Sequence, residues 1–544
     1  MTFASLIWPQ PLAPLHSIVL SALVAAIPLA LVLILMGGFR KSSLLATACG
    51  LGAAGALAVF IWHMPIALAL SSVGFASLYA IWNILWIVFS GLWLYNVAVD
   101  TGKFELLRHW MERNASGDPC IQAILVAFCF GALLEGSAGF GAPVAVTAFL
   151  LVGLGFPAQR AVVVALIANT APVAFGALGV PIVALAGVTG LEIGKLSAMA
   201  GRQLPFLSLV LPAYLAWVVG GGKGLRRTWP AALVAGGSFA LAQFLVSNLW
   251  GPYVTDVIAS LTSIATLVAF LRVWSPSIAD GTLLAKSSAA AAVGNPEPTQ
   301  QSWSGAFSAW LPWAMLSVVM VLWSYFKMFQ RGQITFQFPW LHNAVLITLY
   351  QKPYAALYSF QPLAGGTAVL VATVLTALCF AVHPRIVGRS AVKTALQLRL
   401  PGVTVLIIVA LAYLYNYSGM AYTLGAAVAL VGPVFPLLSS YLGWIACFLS
   451  GSDAASNLLF GNLQVAAAHQ LHLNPVLLAA TNSSGAVTGK MISPQNIAVG
   501  VTTVGLIGQE GTVLRSTFWH SILLAGLLGV VACAQAYLVP WMTP

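Results

Sequence analysis

Apolar runs of about 20 residues follow one another along most of the chain, and this pattern constrains the fold more than any other feature. A helix of that length crosses roughly 30 Å of hydrocarbon. Only 6% of the 544 residues are charged, whereas a soluble domain carries roughly 25%. The pattern predicts an all-α, polytopic membrane protein with about 12 transmembrane helices.

The 22 basic residues outnumber the 11 acidic ones and give a formal net charge of +11. Such an excess suits a nucleic-acid partner when the basic residues form one patch, but here they are divided among short loops. Basic loops between spans are typical of the cytoplasmic face, so the expected partner is the lipid bilayer and not nucleic acid. When these loops are assigned to the cytoplasm and the spans between them are counted, both termini lie on the outer face. The loops carry Arg40 and Lys41, then Lys223, Arg226 and Arg227, and finally Arg385, Arg389, Lys393 and Arg399.

Two segments interrupt the regular series of spans. Residues 66–99 are too long for one upright helix, so this span is predicted to be tilted or broken near Asn83. Residues 275–303 are small and polar and contain proline, which is typical of a flexible linker. We expect this linker to be cytoplasmic and to join an N-terminal half, 1–274, to a C-terminal half, 304–544.

The two halves contain an internal repeat, in which the same residue types recur in the same order. The later positions recur at one constant offset, which chance would seldom produce. The matched positions are Gly136-Ser137 with Gly451-Ser452, Asn169-Thr170 with Asn482-Ser483, Gly176 with Gly489, and Pro181 with Pro494.

The basic loops predict that the two copies are inverted, because the first is entered from the cytoplasm and the second from outside. Each copy is expected to hold a re-entrant hairpin, 121–155 or 441–470. Each hairpin is followed by a broken helix, 161–187 or 475–500. Inverted repeats with short, Gly- and Pro-interrupted segments are the pattern of secondary transporters, whose substrate site lies at the midplane between the copies.

Glycine explains how the first hairpin can turn within the membrane. Its tip is expected near Gly136–Gly141, where glycine permits a tight turn and close approach. Backbone that leaves the helical path at this depth must line a cavity or be buried in protein. The broken helices are expected to break near Asn169–Pro172 and Asn482–Gly485.

Three ionisable residues fall deep inside these predicted membrane segments, namely Glu135, Asp453 and Lys490. A charge at the bilayer centre costs at least about 2.5 kcal/mol, so such residues usually face a cavity and serve a function. Because a buried carboxyl group holds its proton more readily than an exposed one, Glu135 and Asp453 are the candidate proton-coupling residues. The alternative is a purely structural ion pair between Asp453 and Lys490.

An anionic substrate would require donors and positive charge. Peptide N–H groups at the N-termini of broken helices supply part of this, and polar side chains at the tips and breaks supply the rest. For a single Ser or Asn, capping of an interrupted helix is an equally good explanation. Arg202 could equally anchor the chain near the outer interface or capture substrate. The candidate substrate-binding residues are Ser137, Asn169, Thr170, Ser452, Asn482, Ser483 and Lys490, with Arg202, Gly136, Gly139, Gly451 and Asn457 as further candidates.

The sequence contains no pattern typical of an enzyme. The stretch "GFGAPV" lacks the length and the lysine of a phosphate loop, and neither Gly-x-Ser-x-Gly nor His-Glu-x-x-His occurs. The six cysteines have no paired spacing. We therefore expect no catalytic activity, no metal site and no cofactor.

Several long motifs resemble one known family. They are "FCFGALLEGSAGFGAPVAVTAFLLVGLGF", "NTAPVAFGALGVPI", "GRQLPF", "GSDAASN" and "GAVTGKMISPQNIAV", and the family is that of the L-lactate permeases. The similarity extends from about residue 15 to the end. The resemblance implies a bacterial inner-membrane carrier that imports L-lactate, and often D-lactate and glycolate, with protons. It also implies an elevator-like movement. In an inner membrane, the outer face on which the basic loops place both termini is the periplasmic face. The aromatic outer stretch 328–361 is shorter than usual for the family, which leaves any substrate preference carried there open.

Together these features predict a proton-coupled symporter for small 2-hydroxy monocarboxylates, with the substrate bound between the hairpins and the broken helices. A sodium-coupled small-carboxylate transporter is the first alternative, and a channel or a sensing protein is the second. An oligomer is compatible with the sequence.

Overall fold

The computed structural model is mostly helical. Among the residues described, nine helices are long and apolar enough to cross a membrane, or ten if one bent pair counts as a single span. The chain is thus a multi-pass membrane protein, while the figure of about 12 spans stays a prediction. The predicted linker lies outside the described residues, apart from its last position. The described residues are 7–39, 41–114, 117–137, 139, 141–274, 303–506 and 508–544.

Five helical segments form what we call the outer helix group, in which each packs against at least one other. They are Ile18–Leu33, Ser43–Phe60, Ile66–Asp100, Gly365–Cys379 and Pro384–Ser418. Only 28–39% of the apolar windows of the long members is buried. Their remaining apolar surface therefore faces the lipid.

Three helical segments have features that apolar run length alone does not show. The long span 66–99 is not broken, because a π-helical stretch at Ala80–Leu85 carries the helix through Asn83. Helix Lys103–Asn114 follows this long span. The segment Ile193–Leu249 consists of two helices that meet at a kink at Gly221, where φ is 62°. The two helices pack against each other, since a Cβ on Gly236 would lie 2.5 Å from the carbonyl oxygen of Leu209.

The first hairpin consists of helices Pro119–Ser137 and Ala142–Gly153, which pack against each other. The turn between them contains Gly139 and Gly141, with φ values of 60° and 83°. Glycine adopts this left-handed region without a steric penalty. The apolar window of the first arm is 100% buried, so this arm lies in the protein interior and not against lipid.

The first broken helix follows the first hairpin. Its segments Ala158–Ala168 and Val173–Thr189 meet at an angle of 68°. The chain leaves the helix at Asn169–Pro172, the position expected from the sequence. Proline lacks an N–H donor and disfavours helical geometry at the preceding residue, which explains the break.

The second copy has the same order of elements. The second hairpin consists of helices Phe435–Ser450 and Asp453–Gln470, joined at Gly451, whose φ is 72°. The second broken helix consists of Pro475–Gly489 and Pro494–Thr503.

The predicted break at Asn482–Gly485 is wrong, because the helix continues through these residues to Gly489. The position that matches Pro172 is Gly485, which can continue a helix. Its missing side chain instead allows close contact with the backbone of Ser440. The break occurs immediately before Pro494.

The remaining elements complete the bundle. Helix Thr255–Val273 packs against the first hairpin, and Glu510–Tyr537 packs against both segments of the second broken helix. Other helices are Lys103–Asn114, Trp303–Tyr325 and Met420–Val428. The π-helical turns are Ile34–Gly38, Ala80–Leu85 and Ala123–Phe130, and the 3-10 turns are Val173–Phe175, Met328–Gln330, Ala429–Val434, Lys490–Ile492 and Pro540–Met542.

Short strands make the fold not wholly α-helical, which corrects the prediction. Trp8–Pro9 pairs in parallel with Val345–Ile347, which pairs antiparallel with Lys352–Pro353. Ile334–Gln337 pairs antiparallel with Leu357–Phe360. Four of these five strands lie in the aromatic stretch 328–361, whose β-branched and aromatic side chains favour strands.

The strand region covers the C-terminal end of helix Pro384–Ser418. Gln10 Nε2 donates hydrogen bonds to the carbonyl oxygens of Asn416 and Tyr417 at 2.7 and 2.9 Å. Tyr354 stacks on Tyr417 with ring centroids 4.3 Å apart. Residues 8–10, the strands and this helix end therefore share one face of the protein. The assignment of the basic loops to the cytoplasm predicts the same arrangement.

Candidate functional site

A cavity of about 400 Å³ lies between the outer helix group and the tips of both hairpins. One liquid water occupies about 30 Å³, so a small anion fits there together with several waters. The cavity extends to Ser42 and Ser43 and to Leu400 and Pro401, which follow the basic residues Lys41 and Arg399 in sequence. The predicted basic loop at 385–399 is wrong, because these residues lie within helix Pro384–Ser418. Its predicted site residues are Glu135, Gly139, Gly451, Ser452, Asp453 and Lys490.

The wall of this cavity carries an ion pair between the two copies. Lys490 Nζ lies 2.6 Å from Glu135 Oε1, and the two side chains are only 9% and 4% exposed. Glu135 lies two residues before the end of the first arm, and Lys490 lies at the break of the second broken helix. The proposed structural pair of Asp453 with Lys490 is therefore wrong, because Lys490 pairs with Glu135.

Both oxygens of Glu135 have partners. Asn169 Nδ2, at the break of the first broken helix, donates to Glu135 Oε2 at 3.0 Å. Gly176, just after this break, faces the same carboxylate, and a Cβ there would lie 2.5 Å from Glu135 Oε1. The break thus supplies one hydrogen bond and the space that the carboxylate needs.

Asp453 is the first residue of helix Asp453–Gln470 in the second hairpin, and it has fewer partners than Glu135. Its Oδ2 accepts a hydrogen bond from Ser483 Oγ at 2.8 Å, while its buried Oδ1 has no partner within the part of the chain that the structure describes. Ser452 caps this helix by accepting from the Ala455 N–H. An unsatisfied buried oxygen is costly, so Asp453 has the capacity to bind a proton or a donor.

A hydrogen-bond network of asparagine and serine side chains contacts Asp453 through Ser483. Asn482 Nδ2 donates to Asn457 Oδ1 at 3.0 Å. Asn457 Nδ2 donates to Ser483 Oγ and to the Pro181 carbonyl, each at 3.1 Å. None of these three side chains lines the cavity. They connect the second copy to the first broken helix.

Three other predicted residues lie away from the cavity. The hydroxyls of Ser137 and Thr170 donate to carbonyls of their own helical turns, to Leu133 and Ile167. Gly136 packs against helix Thr255–Val273. The contacts of these residues are structural, and their contact with substrate stays a prediction.

Arg202 anchors the C-terminal residues. Its Nε donates to Asn248 Oδ1 at 2.9 Å, and its Nη1 donates to the Met542 carbonyl at 2.7 Å. The side chain does not line the cavity. These contacts favour the anchoring role over substrate capture.

Sequence reasoning missed several polar residues of the site. Ser450, Gln495 and Asn496 line the cavity, and Asn496 Nδ2 donates to the Gly451 carbonyl at 3.0 Å. The signal available was the polar pair directly after Pro494. Asp256 was also missed, although it is a buried acid near the start of the apolar helix Thr255–Val273.

The arrangement combines one buried cation, two buried carboxyl groups and a helix N-terminus at the cavity wall. Helix Asp453–Gln470 begins at this wall, and a helix N-terminus attracts anions. Among the residues described, no group of three or more His, Cys, Asp and Glu side chains is arranged to hold a metal ion. The lysine and the helix N-terminus can bind an anion, and the two carboxyl groups can exchange protons.

The site is thus a buried ion pair on the wall of a cavity, inside a multi-pass bundle of membrane helices. The family model described as L-lactate permease matches residues 21–539, and the chain belongs to this family.

Two relatives are similar to the chain over almost its whole length. It is 41% identical to the glycolate permease GlcA of Escherichia coli (strain K12), over 98% of this chain and 99% of the relative. It is 38% identical to the L-lactate permease of the same strain, over 99% and 100%. The solved YdaH transporter of Alcanivorax borkumensis is 14% identical with a TM-score of 0.45, covering 98% of this chain and 100% of that one. Membership of a permease family makes the chain a transporter and not an enzyme.

Proposed function

We propose that this protein imports L-lactate together with protons across the bacterial inner membrane, and that D-lactate and glycolate are also substrates. The names of its relatives support these substrates, since lactate and glycolate are both 2-hydroxy monocarboxylates. The observation that carries the proposal is the buried ion pair of Lys490 with Glu135 on the cavity wall.

Competition for Lys490 couples the anion to the proton. A substrate carboxylate that binds Lys490 displaces Glu135 from its cation. Glu135 is then a buried carboxylate without its counter-ion, which is expensive unless the group takes up a proton. Binding of the anion and protonation of Glu135 therefore favour each other, and one proton moves with each anion.

Asp453 is the second proton-coupling group. Its Oδ1 lacks a partner, so a protonated Asp453 can donate to the substrate from the opposite side of the cavity. The substrate's own hydroxyl can donate to the same oxygen when Asp453 is ionised. Apolar side chains on the wall, including Val173, Val180 and Leu458, give the methyl group of lactate a surface to contact.

Co-transport of a proton removes an electrical cost. An anion that enters an inside-negative cell alone works against about 2.3 kcal/mol per charge per 100 mV. A carboxylate and a proton together carry no net charge, so the membrane potential does not oppose their import. The pH gradient then drives accumulation.

The contacts favour an elevator-like movement of the hairpins and broken helices against the outer helix group. The cavity lies along the boundary between these two parts and extends to Ser42 and Leu400, the sequence neighbours of the basic residues Lys41 and Arg399. If basic loops are cytoplasmic, this conformation is open to the inside and both termini are periplasmic.

Transport in proteoliposomes tests the proposal. With an acidic exterior and no sodium, radiolabelled L-lactate should accumulate by about tenfold per pH unit, and a protonophore should collapse this accumulation. Unlabelled glycolate and D-lactate should compete, whereas a dicarboxylate should not. Accumulation that requires sodium would support the sodium-coupled alternative instead, and the absence of saturable counterflow would support a channel.

A further inference from the structure

A third buried carboxyl group lies next to the ion pair. Asp256 is 1% exposed and lies in the first turn of helix Thr255–Val273. It packs against the residue after Glu135, since a Cβ on Gly136 would lie 2.9 Å from the Cβ of Asp256. Unlike Glu135, Asp256 does not line the cavity. Nothing in the transport scheme above uses this acid.

The surroundings of Asp256 do not stabilise a negative charge. Its Oδ1 accepts one long hydrogen bond, 3.4 Å, from Gln243 Nε2. Its buried Oδ2 has no partner within the described ranges. The charged groups that act on it are Glu135, which repels a second negative charge, and Lys490, which is already paired with Glu135. An unpaired buried charge is unfavourable compared with the neutral acid, so this site suits a neutral acid better than a carboxylate.

The position of Asp256 along the bundle is opposite to the cavity mouth. The second helix of the segment Ile193–Leu249 begins after Gly221 and carries Arg226 and Arg227 near its start. Asp256 follows the other end of this helix, Leu249. The cavity, by contrast, reaches the basic side of the protein at Ser42 and Pro401. Glu135 therefore lies between the cavity and an acid located toward the non-basic side.

We infer that Asp256 is a proton-relay residue for Glu135, an inference that rests on the proposed proton symport. When a substrate anion takes Lys490, the O–H bond of Asp256 breaks and its proton bonds to a carboxylate oxygen of Glu135. Asp256 is left as a carboxylate and regains a proton from water on the outer side. No oxidant or further reactant is required.

The rival explanation is that Asp256 only supports the first turn of its helix, where an acidic residue is favourable. The two roles predict different behaviour of Asp256→Asn. The amide keeps the size and the hydrogen-bonding capacity of the side chain but cannot deliver a proton. Asp256→Glu keeps the acid and moves it by one methylene.

The test compares two transport modes in proteoliposomes. Lactate counterflow without a pH gradient needs no net proton movement, so Asp256→Asn should retain it within about twofold. Accumulation driven by one pH unit should fall from about tenfold to about onefold. Asp256→Glu should restore accumulation with a shifted pH profile. Accumulation by Asp256→Asn with the wild-type pH profile would overturn the inference.

Two controls make the result decisive. Wild-type protein that fails to accumulate lactate under the gradient would refute the proton symport itself, whereas wild-type accumulation with an unaffected Asp256→Asn would refute only the relay. If Asp256→Asn does not yield folded protein, the pH profile of lactate accumulation by Asp256→Glu decides alone. A profile shifted from that of the wild type supports the relay, and a profile equal to that of the wild type refutes it.

Discussion

Lys490 at the second helix break lies 2.6 Å from Glu135 at the tip of the first hairpin, and neither side chain is more than 9% exposed. This contact joins the two copies at the cavity. Removing one partner of a buried pair typically destabilises a protein by about 3–5 kcal/mol, because the other charge stays buried. We therefore expect the stability and the proposed transport activity of this protein to depend on the same two residues.

The Glu135→Gln variant should separate binding from coupling. Lys490 remains free to bind the lactate carboxylate, but the amide cannot accept the coupled proton. We expect retained lactate binding and counterflow, a lower melting temperature, and loss of accumulation driven by a pH gradient. Fluorescence-monitored unfolding and proteoliposome uptake measure these effects.

Glu105→Gln is the matched control for this change. Glu105 is 49% exposed and pairs with Arg108 on the same helix, and an exposed pair contributes only about 0–1 kcal/mol. Its melting temperature and accumulation should match those of the wild type. Normal accumulation by Glu135→Gln would contradict the coupling role of Glu135.

Neutralising both partners should restore stability without restoring transport. Lys490→Met alone leaves Glu135 buried without its cation, whereas Lys490→Met with Glu135→Gln leaves no buried charge at the pair. The double variant should melt at a higher temperature than Lys490→Met, and neither should bind lactate. A double variant no more stable than Lys490→Met would show that the pair is energetically unimportant.

Asp453→Asn should abolish accumulation driven by a pH gradient. The amide oxygen can still accept the hydrogen bond from Ser483, now 2.8 Å from Oδ2, so the second hairpin should remain folded. Thermal unfolding should therefore change by less than in Lys490→Met. Unchanged accumulation would remove Asp453 as a coupling group.

Gly443→Ala should destabilise the second copy. A Cβ on Gly443 would lie 2.9 Å from the carbonyl carbon of Asn482, where two helices approach closely. Overpacking of this kind costs about 1–3 kcal/mol. Gly52 has no atom within 4 Å of its Cβ position, so Gly52→Ala should melt as the wild type does. Equal melting temperatures for the two variants would contradict this packing.

Cysteine labelling should show that the two copies are inverted. Pro157 follows the first hairpin and Gln470 ends the second, and both are exposed. In a background without native cysteines, an impermeant thiol reagent should reach Gln470→Cys from outside intact cells and Pro157→Cys only after permeabilisation. Labelling of both from one side would refute the inverted arrangement.

Much of the fold was predictable because it follows from local properties of the chain. Apolar run length indicates membrane helices, and Gly139, Gly141 and Gly451 lie at turns that need left-handed backbone. Pro172 lies at the break of the first broken helix, where it lacks the N–H donor that a continuous helix needs. The same reasoning failed at Asn482–Gly485, where a matching asparagine without a following proline lies inside a continuous helix.

The sequence by itself determined the membrane class and the repeat, and it identified the buried acids Glu135 and Asp453 and the lysine Lys490 as candidate functional residues. Only the tertiary structure decided how these charges are paired. Lys490 binds Glu135 although Asp453 is nearer in sequence, and Asp256 joins them from a separate helix. Pairing depends on which helix faces meet in a low-dielectric interior, where each buried charge must find a partner or a proton. The order of residues along one chain does not specify those faces.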